Sequence, residues 1–209
     1  AVGGNVPARA APGLFSDRHV ALLPTFAAQA VIAIEDVRLF KALEARTRHL
    51  TATSEIPQAI SSSPTDVQPV FDTIAESAAR LCEAYDSTIF RRDDDRLLPV
   101  AHHGAIPQIG ALPLVRGTVA GRTVLDGRTV HIADVQTETE EFPESSENAR
   151  RSGFRTILVV PLLREGVAIG TITLRRNEAR LFSDRQVQLL ETFADQAVIA
   201  IENVRLFTE

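Results

Sequence analysis

Methionine and tryptophan are missing from this 209-residue chain, and tyrosine and cysteine each occur once. A lone thiol, Cys82, excludes an internal disulfide framework, and the spaced Cys/His clusters of a zinc site are absent. The reducing cytoplasm is therefore the expected compartment. The lack of methionine, the first position included, reads as that of a segment excised from a longer protein. Long apolar runs are lacking too: the stretch from Ile157 to Leu163 falls far short of the ~20 residues that cross a bilayer, and no secretory signal is present. Positive charge is scarce. With a net charge of −5 and basic runs no longer than pairs such as Arg91-Arg92 and Arg150-Arg151, the chain has no footprint for nucleic acid.

What is present is ordinary globular composition, 44% hydrophobic and 23% charged, which suits a chain that buries a core. The most informative feature is a repeat. LFSDRHVALLPTFAAQAVIAIEDVRLF at 14–40 returns as LFSDRQVQLLETFADQAVIAIENVRLF at 181–207, with 22 of 27 positions identical. Such identity marks the two segments as equivalent parts of tandem modules. Each starts on a Phe-Ser-Asp in which Ser16 or Ser183 is suited to cap a helix. Val187, Leu190, Ala194, Ala197, Ile201 and Val204 follow at steps of three and four, one apolar face of a long helix. Leu189, Phe193 and Ile199 lie to one side, so the helix can meet its own sheet and a partner helix together. Pro24, standing where the second copy has Glu191, predicts a kink or a late start in the first.

These features divide the chain into an irregular leader at 1–13, the terminal helix of a preceding module at 14–40, a charged helical linker at 41–64 that ends near Pro57 and Pro64, and one full module at 65–209. Within that module 67–85 predicts an amphipathic helix, with Val70, Phe71, Ile74, Ala78, Leu81 and Cys82 on one face. DSTIFRR and RLLPVAHH form a hairpin across Asp93-Asp94-Asp95. A short helix follows over 117–127, ending at Gly127, and then TVHIADV as a strand. The polar, acidic stretch 136–153 predicts a mobile lid or loop with a short helix near Ser145 to Ser152. RTILVVPLL and VAIGTITLR make a second hairpin, and the repeated helix closes the unit. The order implies an α+β fold, an antiparallel sheet covered by helices.

Three segments in order, TVAGRTVLDGRTVHIADV, RTILVVPLLREGVAIGTITL and the closing helix, resemble GAF domains. The linker TATSEI and ISSSP with VQPVFDTIAESAARLCEA is similar to the tandem GAF regions of bacterial multidomain sensor histidine kinases, and less so to those of nucleotide cyclases. The resemblance implies a six-stranded antiparallel sheet with helices on both faces, the first and last helices together on one and a ligand pocket on the other. It also implies homodimerisation through the terminal helices and a relay to a following domain.

The residues narrow the chemistry. Cyclic-nucleotide-binding GAF relatives share an Asn-Lys pair, then Phe, then Asp-Glu; here Phe182 matches, but Arg175-Arg176 and Gln186-Val187 replace the pairs. Bilin-binding relatives attach a tetrapyrrole through Cys, often followed by His, whereas Cys82 precedes Glu83 on an apolar helix face and reads as a buried thiol. Methionine-sulfoxide-reducing relatives need several cysteines. His102 and His103 point to opposite faces of one strand and cannot grip one metal together. No metal, cofactor or catalytic group is assigned. The expectation is a non-catalytic sensor that passes a small-molecule signal or an interdomain contact to a downstream kinase domain. Its pocket would be drawn from Phe90, His102, His131, Phe142, Arg151 and Phe154. A purely structural dimerisation module with a filled pocket is the competing reading.

Overall fold

The computed structural model describes residues 66–107 and 110–208, with side chains as far as Val204. The expected leader, the helix at 14–40 with its Pro24 and the linker lie outside the described residues.

The first helix, α1 (Gln68–Leu81), admits Pro69 in its first turn, where a missing N–H costs nothing, and buries Val70, Phe71, Ile74 and Ala78 as the periodicity predicts. The strands β1 (Asp86–Asp93) and β2 (Arg96–Gly104) pair antiparallel. Asp94, at their turn, takes a positive φ of 50°, which short Asp side chains tolerate better than most. A two-residue strand, β3 (Leu112–Pro113), lies against the outer edge of β2. The residue pattern alone yields five strands, because two residues cannot display a period; the sixth came only with the family resemblance.

Helix α2 (Val119–Asp126) is capped by Thr118, whose Oγ1 accepts from the Gly121 N–H at 3.0 Å, and ends at Gly127 as expected. Strand β4 is shorter than its sequence suggests, Val130–Ile132. The Asp134 carboxylate accepts from the Gln136 N–H and pairs with Arg155, and the chain turns there into a 3-10 segment at Val135–Thr137. The polar stretch expected as a lid or loop contains a helix, α3 (Pro143–Ser152), beginning two residues before the predicted start. It is anchored: the Ser146 hydroxyl donates to the Gln136 carbonyl at 2.8 Å and Arg150 donates to the same oxygen at 2.7 Å.

The long strands β5 (Thr156–Arg164) and β6 (Val167–Arg176) are joined by Glu165-Gly166, both at positive φ, as a tight hairpin turn requires. The closing helix, α4 (Asp184–Thr208), starts after Ser183. Ser183 Oγ accepts from the Gln186 N–H and Gln186 Oε1 accepts from the Ser183 N–H at 2.9 Å, a reciprocal capping box.

The sheet order is β3-β2-β1-β6-β5-β4, antiparallel throughout. Strand alternation sends side chains to two separate cores. On one face Ile89, Leu158, Val160, Ile172 and Leu174 pack under α1 and α4. On the other, Phe90, Phe154, Ile157 and Val159 pack with α2, α3 and the segment before them. Among the described residues no helix is long and apolar enough to cross a membrane.

Candidate functional site

The polar half of β6 organises the second face. Residues 171, 173 and 175 alternate with the apolar Ile172 and Leu174, so two threonines and an arginine point where α2 and α3 cover the sheet. Arg175 is 2% exposed and Asp86, at the start of β1, is fully buried. Arg175 Nε donates to Asp86 Oδ1 at 2.8 Å, and its Nη2 donates to the same carboxylate and to Thr88 Oγ1 at 2.8 Å. His102 Nε2 lies 2.7 Å from the other carboxylate oxygen, which also accepts from the Ile106 N–H at 3.3 Å. Burial pulls the Arg175 pKa down from its ordinary value, and the Asp86 charge opposes that pull. Gly104 makes the arrangement fit: it has φ +138°, and a Cβ there would stand 2.6 Å from the Asp86 Cα.

Above this ion pair is a cavity of about 200 Å³. Its floor includes Phe90, Phe154, Ile157, Thr173 and Arg175, with the Arg175 guanidinium 5.4 Å from the centre of the Phe154 ring. Glu144, Ser145, Asn148 and Arg151 of α3 face it from above. Ser145 also ties the roof together, accepting from the Val119 N–H at the start of α2 at 2.9 Å. The Thr173 hydroxyl is buried and has no hydrogen-bond partner among the described residues.

Of the six nominated pocket residues, Phe90, Arg151 and Phe154 line this cavity. Phe142 is buried in the same core, stacked under Arg122 at 4.9 Å, but outside the cavity wall. His102 reaches the site only through Asp86. His131 belongs elsewhere: it pairs with Leu158, whose side chain enters the opposite core, and its Nε2 accepts from the Phe182 N–H at 3.0 Å. Burial first, and then the nearby Arg176 charge, lower its pKa. The helix positions proposed for a partner also divide. Leu190, Ala194 and Ala197 are buried against the protein's own sheet and have no surface to offer a second chain, while Val187 and Ile201 pack partly buried beside them and Val204 is half-buried. Ile199 is 48% exposed on α4.

Asp86, Thr173 and Arg175 were missed. The signal was there in VAIGTITLR, whose alternation sets a polar row on one face of a strand otherwise rich in branched apolar residues. Cys82 is fully buried on the α1 and α4 side, with its thiol pushed up to about 12 by burial, as its helix position suggested. No group of three His, Cys, Asp or Glu side chains among the described residues could hold a metal ion.

Solved structures share this architecture. A methyl-accepting chemotaxis protein fragment, residues 122 to 287, is 26% identical, with a TM-score of 0.62 over 75% of this chain and 98% of that one. The GAF domain of a Coxiella burnetii phosphoenolpyruvate-protein phosphotransferase is 15% identical, with a TM-score of 0.65 over 78% of this chain and 97% of that one. The free methionine-R-sulfoxide reductase of Neisseria meningitidis, solved with its substrate, is 21% identical, with a TM-score of 0.62 over 76% of this chain and 93% of that one. The GAF domain family matches residues 66–201, nearly the whole described fold, and the chain belongs to that family.

Proposed function

We propose that this GAF domain is a non-catalytic sensor: a small molecule enters the cavity between the sheet and α3, and its presence is relayed through dimeric terminal helices to a downstream histidine kinase. The carrying observation is the cavity's polar floor, a buried hydroxyl without a partner beside a buried, neutralised guanidinium. A core that only had to be filled would place apolar side chains there, because an unsatisfied buried hydroxyl costs about 1–3 kcal/mol. Kinship with a chemotaxis protein supports a signalling context.

The sulfoxide reductase raises the enzyme alternative. Thiol chemistry in this chain would fall to Cys82, which lies in the core on the far side of the sheet from the cavity and is held protonated by burial. That placement favours sensing over catalysis. Isothermal titration with candidate metabolites, run alongside cysteine crosslinking of α4 in the full-length protein, tests the proposal. Binding that changes crosslinking and kinase output is expected; binding that leaves both unchanged rejects the relay.

A further inference from the structure

Charge and size limit what this cavity can hold. Arg175 is neutralised by Asp86. The carboxylate of Glu144 lies over Gly117, where an added Cβ would meet its Oε2 at 1.7 Å, beside the start of α2. The N–H end of a helix favours a negative charge, so the dipole of α2 offsets part of the Glu144 charge. Arg151 is different. It is exposed, its hydrogen bond goes to the neutral Asn148 Oδ1 at 3.2 Å, and among the described residues it makes no ion pair. The mouth therefore carries an unmatched guanidinium, whose planar donors suit a carboxylate.

The Thr173 hydroxyl, 3% exposed, lines the same cavity and has no hydrogen-bond partner among the described residues. Phe90, Phe154 and Ile157 give the wall a hydrocarbon portion, alongside the polar Thr118, Ser145 and Asn148. A cavity of about 150 Å³ accepts benzene, and drug-sized pockets begin at about 300 Å³. The 200 Å³ here suits one ring and its substituents.

We propose that the ligand is a small monocarboxylate with a benzene-sized apolar body, its carboxylate paired with Arg151 at the mouth and a polar substituent at its far end bonded to Thr173. This rests on the sensory reading of the same cavity. The test is calorimetric titration of the full chain with 4-hydroxybenzoate, benzoate, benzyl alcohol and benzylammonium. The two acids are expected to bind at least tenfold more tightly than the alcohol and the amine. Arg151→Ala should weaken both acids at least tenfold. Arg128→Ala, which removes an exposed charge outside the cavity wall, should leave them unchanged. Thr173→Val should weaken 4-hydroxybenzoate several-fold and spare benzoate. Melting curves of the variants establish that each is folded. Alcohol or amine binding as tightly as the acids, or acids indifferent to Arg151→Ala, overturns the anion assignment while leaving a ligand-binding cavity in place. Equal losses for both acids in Thr173→Val overturn the far-end contact. If none of the four binds, the carboxylate proposal falls, and the sensory reading is judged separately by the metabolite titration and crosslinking.

Discussion

Asp86 and Arg175 are out of water together, and each is tolerable only because of the other. Removing one member of such a pair leaves an uncompensated buried charge, so Asp86→Ala is expected to cost about 3–5 kcal/mol, read as a lowered urea midpoint. Thr173 predicts the opposite sign. Its hydroxyl lacks a partner, and Thr173→Val exchanges it for a methyl group of the same shape. The ligand-free protein should gain on the order of 1 kcal/mol, seen as a raised midpoint, even as it loses the ligand contact. Stabilisation coupled to weakened binding would mark the hydroxyl as functional. The sequence half-disclosed this site. Phe90, Phe154 and Arg151 could be nominated from the sheet and the polar segment around α3, but the Arg175 to Asp86 pair joins residues 89 positions apart, and no local pattern announces such a contact. His131 was misassigned for a related reason: a three-residue strand fixes its facing by pairing with β5, which only the register reveals.

The start of α4 is where the elements are tied. Gln186 Nε2 donates to the Cys82 carbonyl at the end of α1 at 2.7 Å, and Arg176 Nη2 donates to the same oxygen at 2.9 Å. Arg176 Nη1 also reaches the carbonyls of Arg180 and Leu181, and its guanidinium lies 3.9 Å from the Phe182 ring centre. Charged hydrogen bonds of this kind contribute roughly 1.5–3 kcal/mol. Arg176→Ala should therefore speed amide exchange in the first turns of α4 well before it affects β1 and β6. His131 adds a pH dependence to the same corner. Accepting from the Phe182 N–H requires an unprotonated Nε2, and the folded-state pKa lies below the unfolded value near 6.5. Below that value the unfolded chain binds the proton more readily, so this contribution to stability is full above the unfolded pKa and fades as pH falls through the lowered one. His131→Gln should flatten the stability profile in that acid range, as measured by denaturation at a series of pH values. The helices were legible at this scale because three and four turns of period suffice. Which side of α4 meets the sheet was less so: its apolar residues encircle more than half the helix, and only packing assigned Leu190, Ala194 and Ala197 inward.

Among the described residues one sheet separates a cavity from a pair of helices, and any relay between them must cross it. Strand β6 offers the crossing. Arg175 faces the cavity, and its neighbour Arg176 holds the junction of α1 and α4 on the other side. A ligand shifts an equilibrium only if it binds two arrangements unequally, so on the proposed reading cavity occupancy must change how firmly that junction is closed. Cys82 can report it. The thiol is fully buried, 3.6 Å from the Gln186 carbonyl, and raised to about 12, so it should resist a thiol reagent at neutral pH until α4 parts from the end of α1. Labelling of the native chain is expected to be far slower than that of the urea-unfolded chain. A saturating cavity ligand should change the native rate at least several-fold, in a manner that Arg176→Ala abolishes. If the labelling rate is the same with the cavity empty or filled, the two faces of the sheet are energetically independent. The cavity would then bind without signalling through α4.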